Sequence, residues 1–146
     1  MARSNRQLTQ FAVHRIGCIL DHGTGLLPAS DTAGNTEVST RLNEAHVKLF
    51  GKKILSIELD EGKILSITVR SGDFYDSLGR PSRTTRERLN GLLDYLGSRG
   101  LVPSGVRVFI GEKGGCCIGR ENVTKGFGIE NPSVTIQAHP LSLLMS

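Results

Sequence analysis

The stretch that decides the fold runs from Lys53 to Arg70, "KILSIELDEGKILSITVR". In its second half Leu65, Ile67 and Val69 alternate with Ser66, Thr68 and Arg70. Successive side chains of a strand point to opposite faces, so this period of two gives one apolar and one polar face. Asp60, Glu61 and Gly62 supply turn chemistry between two runs that both begin KILSI, and the stretch reads as an antiparallel hairpin. The echo is too short for an internal repeat. Upstream, "AHVKLF" (Ala45 to Phe50) alternates in the same way and reads as a further strand.

Downstream, "SGDFYDSLGRPSR" leads into a helix. Leu89, Leu92, Leu93 and Leu96 stand at i, i+3, i+4 and i+7, a stripe that must pack on the sheet. Thr84 and Glu87 have capping-box spacing at its start, and Gly97 is placed to end it. Three more strands follow, "VRVFI" (Val106 to Ile110), "CCIGR" (Cys116 to Arg120) and "SVTIQA" (Ser133 to Ala138). The segments "GEKGG" and "ENVTKGFGIENP" separate them; "GEKGGCCIGR" fits neither phosphate-loop pattern and reads as a hairpin.

At the other end, Ser4 and Gln7 form a capping box before Leu8, Phe11, Ala12, Ile16, Ile19 and Leu20 at helical spacings, which predicts a helix over about residues 5–20. A strand over "FAVHRIGCIL" is the alternative, given its β-branched residues. Residues 21–40, rich in Gly, Ser, Thr and Asp, read as a long loop. The expectation is an α+β fold, an antiparallel β-sheet with two main helices packed on one face. One domain spans 1–146, with a core module over about 45–110.

The 146 residues are enough to bury a core without disulfides or metals. A net charge of +4 favours anionic partners, yet the chain lacks the dense basic tracts of a dedicated duplex-DNA binder. Cys18, Cys116 and Cys117 have no CxxC spacing and read as reduced thiols in a cytosolic protein. No apolar run is long enough to span a bilayer, and "MARSNRQLTQ" lacks the apolar core of a secretory signal. His14, His22, His46 and His139 lack metal-ligand spacing, so neither a metal nor a cofactor is expected.

The most informative site candidate is "RPSRTTRERLN" (Arg80 to Asn90), which sets Arg80, Arg83, Arg86 and Arg88 at the opening of the second helix. Cations there oppose the helix dipole, at about 0.3–1 kcal/mol each, unless an anion sits among them. Guanidinium groups and the hydroxyls of Thr84 and Thr85 suit phosphate. The alternative is that Thr84 only caps the helix while Glu87 and Asp94 neutralise the arginines. Asn90, on the same helix, either faces solvent or reaches a ligand. Phe74 and Tyr75 offer a stacking surface for a base, or else Phe74 plugs the sheet edge and Tyr75 meets solvent. Arg107 should lie opposite Val106 and Val108, away from the core. For catalysis only Asp73 and Asp76 stand near these residues, and an enzyme is not the expectation.

The stretch "SGDFYDSLGRPSRTTRERLNGLL", with its S-x-T-T-x-x-R-L-N opening a helix after a hairpin, resembles the Thoeris anti-defence family. These are phage sponges that sequester a cyclic ADP-ribose isomer used as a bacterial immune signal. The resemblance covers about residues 50–110 and implies a ligand aromatic at Phe74, the motif asparagine at Asn90 and a strand arginine at Arg107. It also implies a homo-oligomer, dimer or hexamer, that works in the cytoplasm of the infected host and binds the nucleotide between protomers without degrading it. Some members also hold cyclic oligonucleotides. Arg83 would join Arg107 on the pyrophosphate. Arg15 and Arg41 are both candidates for the family's N-terminal arginine. The segment "DSLGRP" lengthens the link between aromatic and threonines, and the part after Gly111 has no counterpart. The alternative is a nucleic-acid-binding phage accessory protein that lays Arg80 to Arg88 on phosphates, with salt-dependent affinity.

Overall fold

The computed structural model describes residues 3–23, 30–41, 43–60, 63–120 and 123–137. Ser4 opens helix α1 (Asn5–His22): its hydroxyl accepts from the Gln7 backbone N–H, and the Gln7 side chain accepts from the Ser4 N–H. The helical reading of this segment holds over the strand alternative. Its buried residues, Leu8, Ala12, Ile16, Gly17 and Ile19, recur at helical spacing.

Six strands, β1 (Ser30–Ala33), β2 (Thr36–Arg41), β3 (Glu44–Leu49), β4 (Lys52–Asp60), β5 (Lys63–Arg70) and β9 (Ser133–Gln137), form one antiparallel sheet in the order β1-β2-β3-β4-β5-β9. The hairpin read from Lys53 to Arg70 is β4–β5, with Leu55 opposite Val69 and Ile57 opposite Ile67. The inner face of this sheet carries Val38, Ala45, Val47, Leu55, Ile57, Ile67, Val69, Val134 and Ile136, all buried. Helix α2 (Arg83–Ser98) covers it beside α1 through Leu89, Leu92, Leu93 and Leu96. Strands β6 (Arg107–Ile110), β7 (Cys116–Arg120) and β8 (Val123–Gly126) make a second antiparallel sheet, whose Val108, Cys116 and Ile118 join the same core. The fold is α+β.

The two helices run parallel, since their contacts advance together: Asn5 with Glu87, Thr9 with Arg88, Asp21 with Arg99. Two glycines permit the approach. A Cβ at Gly17 would lie 2.6 Å from the Tyr95 hydroxyl, and one at Gly91 would collide with Thr9 Cγ2.

Four expectations need correction. The loop expected over 21–40 contains β1 and β2, joined by a Gly34–Asn35 turn with Gly34 at φ 54°; their pairing with β3 supplies hydrogen bonds that local composition does not reveal. Helix α2 is capped by Ser82, whose hydroxyl accepts from the Thr85 N–H, and not by Thr84. Part of "ENVTKGFGIENP" is strand β8, recruited by β7. Phe50 ends no strand but occupies the turn between β3 and β4. Glu61 and Gly62 of the hairpin turn, Ala138, His139 and the remaining C-terminal residues lie outside the described residues.

Candidate ligand-binding site

The four arginines of the 80–90 segment separate in space. Arg88 is fully buried: it donates to Thr36 Oγ1, the Asn5 carbonyl, Thr9 Oγ1 and Asn35 Oδ1 at 2.7–3.2 Å, and burial depresses its pKa against the opposing pull of Glu87. It pins α2 to α1 and to the β1–β2 turn. Arg80 grips Asp76 at 2.7 Å and donates to the Gly114 carbonyl, and Arg86 donates to the Pro81 carbonyl. Arg83 alone of the four projects fully, its side chain 83% exposed and paired with Glu87 at 2.8 Å.

The 71–82 connection is stiffly built. Tyr75, far from facing solvent, places its hydroxyl 2.6 Å from Ser71 Oγ and bridges Pro81 through its backbone. Asp76 accepts from the Leu78 and Arg80 N–H groups; burial raises its pKa, but these bonds and the Arg80 side chain outweigh that and lower it. The Phe74 carbonyl accepts from the N–H of Ser82, the α2 cap, so Phe74 is anchored at the helix opening. Its ring is 48% exposed and meets Phe50 edge to face, with centroids 5.0 Å apart and planes at 63°.

Phe50 is the residue that sequence reasoning missed. It forms with Gly51 a two-residue β3–β4 turn in which both φ angles are positive, 52° and 80°. Such a turn prefers Asn-Gly, and a bulky residue in the left-handed region costs about 1 kcal/mol or more. The signal was available: "FG" stands where "NG" would be ordinary. Lys52, next in the chain, lies 3.6 Å from Asp73. That ion pair ties the Phe50 turn to the Phe74 segment.

The remaining candidates distribute along α2. Thr84 is half-buried, while Thr85 is buried with its Oγ1 2.9 Å from Ser82 Oγ. The Asn90 amide donates to the Val108 carbonyl and accepts from its N–H, at 2.9 and 2.7 Å, so it holds β6 onto the helix. Arg107 is exposed as expected, with Asp94 at 3.8 Å. Phe74, Arg83, Thr84 and Thr85 therefore gather at the α2 opening. Asn90 is about 10 Å further along the helix axis and the Asp94–Arg107 pair about 16 Å. Arg15 pairs with Asp31 at 3.3 Å, and Arg41 is exposed at the end of β2.

Two open hollows indent the surface. One, of about 320 Å³, lies among Leu78, Arg80, Cys116 and Phe127; the other, of about 390 Å³, lies among Phe109, Lys113 and Cys117. Neither includes Phe50 or Phe74. Cys18, Cys116 and Cys117 carry free thiols, and burial pushes that of Cys116 up. Among the described residues no cluster of His, Cys, Asp and Glu is placed to hold a metal ion, and no helix is long and apolar enough to cross a membrane. No family model, curated protein or solved structure matches the chain.

Proposed function

We propose that the protein captures a small cyclic nucleotide and withholds it unaltered, as the phage sponges of the Thoeris anti-defence family do. The observation that carries this reading is Phe50, kept at φ 52° in a turn slot suited to Asn and left 57% exposed against an equally open Phe74. Strain retained for the display of an aromatic pair points to a planar ligand, and a nucleobase stacks on such a surface with about 1–3 kcal/mol per base.

In this reading Phe50 and Phe74 take the base of a cyclic ADP-ribose isomer. Arg83 and Thr84, at the positive end of α2, take its pyrophosphate. Asn90 contributes by fixing β6, and Arg107 on that strand enters the site from a second protomer. An exposed aromatic pair outside both of these hollows needs such a cover to exclude water from the ligand, which favours a homo-oligomer, dimer or hexamer. The place of action is the cytoplasm of an infected bacterium. Isothermal titration with the cyclic ADP-ribose isomer tests it: Phe74→Ala and Phe50→Gly should each weaken binding by roughly ten- to a hundredfold. Wild-type affinity in both variants refutes the site.

A further inference from the structure

The outer face of the six-stranded sheet, turned away from both helices, is sorted by charge. Strand register sets Ser39, His46, Ser56, Thr68 and Thr135 side by side in one row across β2, β3, β4, β5 and β9. One pleat further along β3, β4 and β5 stand Lys48, Lys53 and Arg70, with Lys48 directly opposite Lys53. At the centre, Arg70 Nη1 donates to Ser56 Oγ at 2.6 Å, and Ser56 Oγ lies 3.1 Å from His46 Nδ1. His46 is only 2% exposed, and its Nε2 has no hydrogen-bond partner, with Glu44 at 3.5 Å.

Burial and the positive charges of Lys53, Lys48 and Arg70 keep the imidazole neutral, with Glu44 the one opposing carboxylate. The other acids of this face are turned to hydroxyls: Glu37 accepts from Ser30 and Glu58 from Ser66. Among the described residues, Lys48, Lys53 and Arg70 make no ion pair. By register, Arg41, Lys48, Lys53 and Arg70 on this face meet Glu37, which stands opposite Lys48, and Glu44 and Glu58, which leaves an excess of one positive charge gathered at the Lys48–Lys53–Arg70 end. The group that matches is an anion that can take several donors at once.

The geometry points to a phosphoryl-binding site on the outer face of the sheet, with Arg70, Lys48 and Lys53 as its cationic wall and Ser56 and His46 as its floor. The footprint from β3 to β5 is two strand spacings, about 10 Å, the size of one phosphate or pyrophosphate. The described residues of this face include no Phe, Tyr or Trp, and the His46 ring is buried, so it lacks the stacking platform on which a single-stranded nucleic acid depends. Its lysines stand one residue pair from the Phe50–Gly51 turn, on the strands that the turn joins, while Phe74 belongs to the loop after β5.

Isothermal titration of the full chain with inorganic phosphate and with pyrophosphate, at constant ionic strength, tests it. Saturable binding is expected, weakened about tenfold or more by Lys48→Gln/Lys53→Gln together and by Arg70→Gln. The side chains of the lysine pair make no hydrogen bond among the described residues, so that variant stays informative even if Arg70→Gln disturbs Ser56. Absence of saturation, an equal response to chloride, or undiminished binding in the lysine variant would each overturn the assignment.

Discussion

Arg88→Met removes the most heavily engaged side chain of the second helix. The wild-type guanidinium makes four hydrogen bonds, all to neutral acceptors, from a fully buried position. Bonds to a charged donor are worth about 1.5–3 kcal/mol each in mutational terms. Against their sum stands the several kcal/mol it costs to take the cation out of water. Methionine recovers the desolvation and fills part of the space but deprives Thr9, the Asn5 carbonyl, Thr36 and Asn35 of their shared donor, the last two keeping only the bond from Thr36 Oγ1 to Asn35 Oδ1. The net loss should be about 3 kcal/mol, which for a chain of this size is roughly 10 °C in Tm. Arg88→Lys should lose at least as much, because three ammonium donors at one point cannot span four acceptors on three elements. Urea unfolding followed by circular dichroism measures both. A Met variant within about 0.5 kcal/mol of wild type would refute the pinning role, since surface substitutions away from such features fall in that range.

Other substitutions test neighbouring parts of the account. Gly91→Ala should cost about 1–3 kcal/mol despite alanine's better helix propensity, because Thr9 Cγ2 occupies the space and Thr9 cannot rotate away without releasing Arg88. Thr9→Ser, which removes that methyl, should restore much of the loss in a double-mutant cycle. Asn90→Ala should cost about 2 kcal/mol by freeing both backbone groups of Val108. Protection of the Val108 amide in hydrogen exchange reads this directly. His46 has a folded pKa below its unfolded value, so the unfolded chain binds the extra proton. Unfolding free energy should therefore fall as pH drops below about 6.5, and His46→Gln should flatten that dependence.

The elements legible in the sequence were those whose signal is local. The β4–β5 hairpin shows its period of two, α2 its leucine stripe and α1 its capping box. Strands β1 and β2 were hidden in a polar stretch because they exist only through pairing with β3, and β8 likewise waits on β7. The arginine segment misled for a geometric reason. Adjacent in sequence, its members fan out at about 100° per residue around the helix. Arg88 stands four residues before Leu92, on the buried stripe with Thr85 and Leu89, and that spacing was there to be read. Arg107 was placed outward correctly from alternation alone. Phe50 escaped notice because a strand-like run ends on it, although the two-residue gap between Leu49 and Lys52 is that of a tight turn.

The proposed sponge holds a nucleotide without changing it. The direct measurement is to incubate purified protein with a panel of cyclic ADP-ribose isomers and cyclic di- and trinucleotides, denature it by heat, and identify what is released by mass spectrometry. One panel member should be depleted and recovered intact, in amounts that match the protein. A converted product would make the protein an enzyme. No depletion of any member, with strongly salt-dependent binding to long DNA or RNA instead, would contradict the account in favour of a nucleic-acid-binding protein.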